Sequence, residues 1–308
     1  MVAALPIASN RGVPTPISDV PIDIALVEEL LAEQCPALEG LPLTCLGNGW
    51  DNAVYRLGDS LTVRLPRRAQ AAPFLENEIT WLPLIASLLT APVPQPVYAG
   101  HPTRSYPYPW MVAPWFEGTR VAAVPPSERT ALATDLADFL WTLHAPAPAH
   151  APINPFRGMS LAQEGPDTRA RARINQEPQR DALLRRWESW VSAPDFDDVD
   201  LWLHGDLHPA NIVMSGDGRL AAVIDWGDMT VGDPACDLAT AWLTFDQQGR
   251  AIFRERLDQG GAIDPATWQR ARAWALYLGL MLAQDCADDP DLQECGRHAL
   301  RSLLDESV

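Results

Sequence analysis

Leu201-Trp202-Leu203-His204-Gly205-Asp206-Leu207-His208-Pro209-Ala210-Asn211-Ile212-Val213-Met214, then Ser215-Gly216-Asp217-Gly218, then Arg219-Leu220-Ala221-Ala222-Val223-Ile224-Asp225-Trp226-Gly227, is the stretch that decides the fold. Its apolar runs are short and bounded by turn residues, which reads as strands. The Ser215–Gly218 turn is expected to fold 211–214 back on 219–224 as a hairpin. With Met214 opposite Arg219, Asn211 falls opposite Ala222. Asp225 then lies three residues further out, roughly 10 Å along the strand. Asp206 precedes the same open end on a loop. Two carboxylates and one carboxamide therefore converge where backbone pairing stops.

That trio defines a chemistry. Hard oxygen donors suit Mg²⁺, which keeps several waters and binds alongside phosphate oxygens. A carboxylate beside such a metal can orient and deprotonate a hydroxyl nucleophile. Phosphoryl transfer needs mainly positioning and charge neutralisation, and these side chains supply both.

The flanking sequence changes texture once. Residues 1–20 hold three prolines and little pattern, and read as a loose arm. Asp23 is placed to cap a helix whose Leu26, Val27, Leu30 and Leu31 form one apolar stripe. Gly47, Gly49 and the Asp51-Asn52 pair break the chain before a strand over 53–57. After a Gly58-Asp59 turn, Leu61, Val63 and Leu65 alternate with Thr62 and Arg64 in a second strand. A helix is expected near 74–89, with Leu75, Ile79, Leu82 and Leu88 toward the core and Pro83 kinking it or ending its first half. Another strand pair ends in Trp110-Met111-Val112-Ala113-Pro114-Trp115-Phe116-Glu117-Gly118. Beyond Gly118 the pattern is helical. Ser127 is placed to cap a helix carrying Leu132, Leu136, Phe139, Leu140 and Leu143. A Pro-rich loop over 146–155 leads to charged helical sequence over 160–191, and 253–304 is helical again, with Trp274, Leu278 and Met281 on one face. The expected organisation is an arm over 1–20, a β-rich lobe over 21–115, and a mainly helical lobe over 116–308, with a hinge near 112–118.

Composition narrows the partners. The chain has 308 residues and a formal net charge of −17. A polyanion needs a concentrated basic stripe, and the one close basic cluster of note is Arg64, Arg67 and Arg68, the last two expected to be solvated. Nucleic acid is therefore not an expected partner. No apolar run approaches ~18 residues, so no membrane helix is expected. The N-terminus lacks the basic and apolar regions of a secretory signal, and the five scattered cysteines form no C-x-x-C. Reduced thiols in a cytoplasmic protein, monomeric or homodimeric, are the expectation. Every basic side chain other than histidine is Arg, because the sequence contains no lysine.

The ordered motifs resemble those of the aminoglycoside phosphotransferase family, within the protein-kinase-like fold. The match is carried by the H-x-D-x-x-x-x-N loop at His204–Asn211 and the metal motif Asp225-Trp226-Gly227. It is completed by Gly232-Asp233-Pro234-Ala235-Cys236-Asp237-Leu238-Ala239, which is similar to the family's G-D-P-x-x-D-L-A element. Weaker likeness extends over about 21–300. The resemblance implies an α+β, bilobal fold and an enzyme transferring the γ-phosphoryl group of ATP or GTP, with Mg²⁺, to a hydroxyl of a small molecule.

Carried over residue by residue, Asp206 would be the base or orienter, and Asn211 and Asp225 would hold Mg²⁺. His204 would brace the loop, and Asp237 would be structural. The Gly47-Asn48-Gly49 turn would cover the nucleotide phosphates. Backbone from Val112 through Pro114 to Phe116 would border the adenine. Where the family carries Lys, this chain has Arg64, with Glu78 as its first expected partner. Arg is always charged and binds phosphate bidentately, yet it is longer and forked, so the exchange is not conservative. The acceptor implied first is an aminoglycoside, a polycation. Two acidic groups are candidates to attract it: Asp195, Asp197, Asp198 and Asp200, read first as a solvated face, and Asp285, Asp288, Asp289, Asp291 and Glu294, the better candidate. A macrolide, a peptide antibiotic or a metabolic alcohol is the alternative within the same chemistry. A pseudokinase that only binds nucleotide is the alternative outside it.

Overall fold

The computed structural model describes residues 17–261, 263–287 and 289–306, apart from the Asn48 side chain. The first sixteen residues of the expected arm, and Asp288, lie outside the described residues.

Helix α1 (Ile24–Gln34) begins where the Asp23 carboxylate accepts the Leu26 N–H at 2.9 Å. Its stripe of Leu26, Val27, Leu30 and Leu31 packs on one face of a five-stranded antiparallel sheet. The strands are β1 (Leu43–Asn48), β2 (Asn52–Leu57), β3 (Leu61–Pro66), β4 (Tyr98–Gly100) and β5 (Trp110–Pro114), in the order β1-β2-β3-β5-β4. Alternation on β3 sorts its side chains. Val63 and Leu65 join Tyr55, Leu57 and Trp110 under α1, while Thr62 and Arg64 face the opposite side. On that side lies α2 (Ala72–Ala86). Its Leu75 packs with Met111 and Ala113, whereas Leu82 and Ile85, two turns on, belong to the core of the helical lobe. One helix is thus shared by both halves of the molecule. It runs through the exposed Pro83 to Ala86, so the proline does not end it, and Leu88 falls beyond the helix with 42% exposure rather than in the core.

After Gly118 come β6 (Thr119–Arg120), α3 (Leu132–Leu143), α4 (Glu164–Ile174), α5 (Arg180–Val191), β7 (Leu201–Leu203), β8 (Ile212–Met214), β9 (Leu220–Val223) and β10 (Thr230–Gly232). The chain then continues through α6 (Ala235–Leu238), α7 (Thr240–Thr244), α8 (Gln247–Gln259), α9 (Pro265–Asp285) and α10 (Pro290–Asp305). Two small sheets, β6-β8-β9 and β10-β7, are set into this helical part. Their core unites Phe139, Trp187, Trp202, Trp226, Trp242 and Trp274 with aliphatic side chains. The architecture is α+β and bilobal, as the resemblance implies. Ser127 does not cap α3: it sits in a 3₁₀ turn at Pro126–Glu128, and Ala131 precedes the helix with no side-chain cap.

The β8–β9 hairpin forms, but in a different register. Ile212 pairs with Val223, Val213 with Ala222, and Met214 with Leu220, with an irregularity between Val213 and Met214. The Ile224 N–H donates to the Asn211 carbonyl at 2.9 Å. Asp225 therefore follows directly on the partner of Asn211, closer than the expected spacing allows.

The end of the expected arm is anchored rather than loose. Asp19 donates its N–H to the Arg67 carbonyl at 2.8 Å, and its carboxylate accepts from the Ala69 N–H and the Tyr108 hydroxyl. No helix among the described residues is long and apolar enough to cross a membrane.

A methyl group on Gly100 of β4 would fall inside the indole of Trp110, which is fully buried. Gly100→Ala is expected to destabilise the fold by about 1–3 kcal/mol through overpacking, read as a lowered urea midpoint at unchanged m-value.

Candidate active site

The loop between β7 and β8 starts at His204, which is fully buried. Its Nε2 faces the Ile224 carbonyl at 3.0 Å and its Nδ1 faces the Asp206 N–H at 3.2 Å. A carbonyl only accepts and an amide N–H only donates, so the Nε2–H tautomer satisfies both. The ring also packs on Trp226, centroid to centroid 4.8 Å. His204 therefore ties the Asp206 loop to the segment carrying Asp225, the bracing role expected of it. Gly205 follows at φ 84, and a Cβ there would strike the Asp228 carbonyl.

Asp237, fully buried at the end of the G-D-P element, holds this loop by its root. Its Oδ2 accepts the His204 N–H at 2.8 Å and its Oδ1 the Gly205 N–H at 2.9 Å, with His144 Nε2 at 3.3 Å.

Asp206 emerges one residue later, with its side chain one-fifth exposed. Its Oδ1 accepts from Arg157 at 3.2 Å, and its Oδ2 lies 3.2 Å from His208 Nε2. Asn211 Nδ2 donates to the Asp206 carbonyl at 2.9 Å and reaches Oδ2 at 3.4 Å. Burial pushes the Asp206 carboxyl up, but His208 and Arg157 more than offset it and hold its pKa well below the usual carboxylate range. His208 also caps the Pro209–Asn211 turn through Nδ1, so it serves the loop.

Asp225 stands at φ 63, the one non-glycine residue in the left-handed region among the described residues. Asp tolerates that conformation better than most side chains. The turn leaves its carboxylate 61% exposed, with Arg64 at 3.5 Å.

Arg64 and Glu78 meet as expected. The guanidinium forms a forked pair with the carboxylate, NH2 to Oε1 at 2.9 Å and NH1 to Oε2, and both residues are buried. Burial would lower the Arg64 pKa, but Glu78 and Asp225 raise it on balance, so the cation is secure.

Above it, the turn between β1 and β2 closes with the Gly49 N–H on the Asn52 carbonyl at 2.9 Å. Arg67 and Arg68, expected to be solvated, brace this turn instead. Arg67 is buried and donates to the Gly49 carbonyl at 3.1 Å, and Arg68 pairs with Asp51 at 2.8 Å.

These pieces surround one cleft with a cavity volume of about 340 Å³. Arg64, Asp206, Asn211 and Asp225 line it, as do Gly49, Pro114 and Phe116. Glu78 lies behind Arg64, and Gly47, at φ 139, follows the β1 irregularity; neither is among the residues lining the cleft, and the Asn48 side chain, at the end of β1, lies outside the described residues. Val112 is also off the wall. It is fully buried in mid-β5, paired with Val63 and Tyr98, and its carbonyl accepts the Val97 N–H at 2.8 Å. Strands on both sides take up the backbone of Val112, whereas Pro114, at the end of β5 beyond the reach of β4, is on the cleft wall.

The acidic groups divide between pairs within the fold and exposed side chains, Asp291 among the latter. Asp285 is gripped by Arg173 at 2.9 and 2.6 Å. Asp289 caps α10 and pairs with Arg120 at 2.9 Å, and Glu294 pairs with Arg301. Asp195 accepts from Ser160, whereas Asp197, Asp198 and Asp200 are an exposed face.

Sequence reasoning did not single out Arg157, Asn154 or Asp228. Arg157 reaches both Asp206 and Asp228, the latter at 2.9 Å, and Asn154 Nδ2 donates to Asp228 Oδ1 at 2.8 Å. Asp228 directly follows the Asp225 motif, which was a local signal. Arg157 comes from a loop with no periodicity.

A model of the phosphotransferase enzyme family matches residues 43–274. The uncharacterized protein YcbJ of Bacillus subtilis (strain 168) is 28% identical over 222 residues, 65% of this chain and 68% of that protein. Thiamine kinase of Escherichia coli (strain K12) is 30% identical over 81 residues, 26% of this chain and 29% of that enzyme. The solved GDP and kanamycin complex of APH(2")-IIIa superposes with a TM-score of 0.67 at 20% identity, covering 90% of this chain and 98% of that one.

Asp237→Ala would orphan the buried amides of His204 and Gly205, at about 1–3 kcal/mol each. The expected result is a stability loss of that order in chemical denaturation, with turnover falling even at temperatures where the variant stays folded.

Proposed function

The chain belongs to the phosphotransferase enzyme family, and on that premise we propose that it moves the γ-phosphoryl group of ATP or GTP, with Mg²⁺, onto a hydroxyl of an antibiotic-like small molecule. That it is an enzyme, a phosphotransferase acting on an alcohol group, follows from its family. Donor and acceptor are the proposal, with aminoglycosides the first class to test. The observation that carries it is the meeting of Asp206, Asn211, Asp225 and the Arg64–Glu78 pair at one cleft.

The donor set fits Mg²⁺. Asn211 spends its amide nitrogen on Asp206, and its side-chain oxygen has no protein partner among the described residues. Asp225 contributes an exposed carboxylate. One carboxylate and one carboxamide leave most positions to water and phosphate oxygens, as this ion prefers. Bound there, Mg²⁺ would neutralise charge on the phosphates.

Arg64, backed by Glu78, would fix the phosphates as the family's Lys does, with its remaining N–H groups directed at the cleft. The Gly49 turn, braced by Arg67 and Arg68, would cover them. Asp206 is held anionic, which makes it a weak proton acceptor and a strong hydrogen-bond acceptor. Its part is to aim the acceptor hydroxyl. A loose phosphoryl-transfer transition state asks for little early deprotonation, so aim matters more than basicity.

One observation favours a second reading of the acceptor. Of the carboxylates expected to grip amino groups, Asp285, Asp289 and Glu294 are paired with Arg173, Arg120 and Arg301. Trp50, Phe74 and Leu292 line the same cleft. A less charged acceptor with an apolar face, such as a macrolide, fits those walls.

Mass spectrometry after incubation with Mg²⁺, ATP or GTP, and aminoglycosides, macrolides, peptide antibiotics, thiamine and simple amino alcohols would decide. A single-phosphoryl mass gain on one class is expected. Asp206→Asn should lower turnover by roughly 10²–10⁴-fold while nucleotide affinity is retained. No gain on any acceptor, with nucleotide bound, would overturn the antibiotic reading. In calorimetry, Arg64→Ala is expected to weaken nucleotide binding about tenfold, ~1.4 kcal/mol. Affinity unchanged in that variant would remove Arg64 from the phosphate site.

A further inference from the structure

We propose that Arg157 is a positioning residue of the phosphoryl-transfer site, aiming the Asp206 carboxylate from a loop that lies outside the three sequence motifs. The proposal rests on the reading of Asp206 given above.

A single guanidinium nitrogen, NH2, serves two carboxylates: Asp206 Oδ1 at 3.2 Å and Asp228 Oδ2 at 2.9 Å. Among the described residues Arg157 is the sole partner of Asp206 Oδ1, since His208 and Asn211 both address Oδ2. Without Arg157 the carboxylate keeps one tethered oxygen and can turn about it. It would also face Asp228, a like charge, with no cation between them.

The arginine is held as a fixed part. Its side chain is 11% exposed. The Asn154 N–H donates to Thr230 Oγ1 at 2.8 Å, and the Asn154 side chain holds Asp228 while accepting the Phe156 N–H at 2.9 Å. On the far side, Gly158 takes φ 69, its carbonyl accepts the Asp233 N–H at 3.1 Å, and a Cβ there would crowd Leu203 and the Val231 carbonyl. The loop is pinned on both flanks of residue 157, at β10 and at the G-D-P element. Arg157 Nε is buried with no partner. A buried donor left unpaired is a cost that proteins usually avoid. Here the two carboxylates dictate where the guanidinium lies and Nε is sacrificed.

Exposure alternates along the same loop. Ile153 and Phe156 are 78% and 56% exposed, while Asn154 and Arg157 turn inward. The inward pair is what the fold protects.

The test is kinetic and structural. Arg157→Met should lower kcat about 10- to 100-fold, the usual loss when a group orienting a reacting side chain is removed, with nucleotide Kd changed by less than about twofold. Arg157→Lys keeps the charge on a shorter side chain that does not place it at the same point, so its kcat should fall between that of Arg157→Met and wild type. Arg157→Met combined with Asp228→Asn should regain several-fold over Arg157→Met alone, because the unpaired neighbour no longer repels Asp206. Wild-type kcat in Arg157→Met, equal losses in Met and Lys variants, or no regain in the double variant would each overturn the proposal. If wild type phosphorylates no acceptor, the kinase reading fails on its own terms. Crystal structures of wild type and Arg157→Met then decide: a rotated Asp206 carboxylate supports the positioning role, and an unmoved one overturns it. Should the Met variant not fold, the same comparison is made with Arg157→Lys, where an Asp206 carboxylate in the wild-type position with wild-type kcat would also overturn it.

Discussion

The Asp237 carboxylate accepts the N–H groups of His204 and Gly205 from a position with no access to solvent, and the candidate site is built outward from that contact. Strand β7 stops at Leu203, so those two amides have lost their sheet partners and must find others. An ionised acceptor meets both at once and fixes the direction in which the chain leaves the strand. His204 then spans to the Ile224 carbonyl, which sets the end of β9 against the loop. The bulge between Val213 and Met214 brings Asp225 just past the residue paired with Asn211. Asp206, Asn211 and Asp225 thus arrive together because their backbones are tied, before any ligand contributes.

The second constraint lies between the halves of the molecule. Helix α2 places Leu75 under the sheet and Leu82 with Ile85 in the helical core, and Glu78 sits on the stretch between them. A buried carboxylate needs a partner there, and Arg64 supplies it in forked geometry. With no lysine in the chain, the forked pair places a planar cation at the cleft, its orientation set by two bonds. The same guanidinium stands 3.5 Å from Asp225, so the sheet, α2 and the Asp225 turn share one electrostatic junction.

Much of this was legible in the sequence because it rests on local pattern. Period-two alternation over 61–65 placed Arg64 on the face opposite Val63, the cap-and-stripe of Asp23 with Leu26–Leu31 gave α1, and the ordered motifs brought three site residues to one place. What was not legible depends on tertiary partners. Arg67 and Arg68 look like surface charges until the chain folds the Gly49 turn over them. Val112 looks like part of a hinge edge, yet a neighbouring strand on each side consumes its backbone. The hairpin register shifted by two residues because the turn closes Met214 on Leu220 rather than Arg219 and a bulge, invisible to alternation, absorbs one more. Arg157 had no signal at all, since its partners are 49 residues away in one case and further along the chain in the other.

The acidic composition reads differently once the partners are known. A charge of −17 suggests a surface that gathers cations. Yet Asp285, Asp289 and Glu294 are each already matched by an arginine, and around the cleft Asp51 is matched by Arg68 and Asp206 with Asp228 by Arg157. A carboxylate already paired with an arginine gives less to a ligand unless the ligand competes with that arginine, and the exposed Glu294 pair is the weakest of them. Asp225 is the cleft carboxylate with the most exposed side chain, and the proposed function gives it to phosphate and metal rather than to an acceptor. Under the proposed function, selection among acceptors would fall to shape and to the apolar walls at Trp50, Phe74 and Leu292, with net charge acting on encounter rather than on fit.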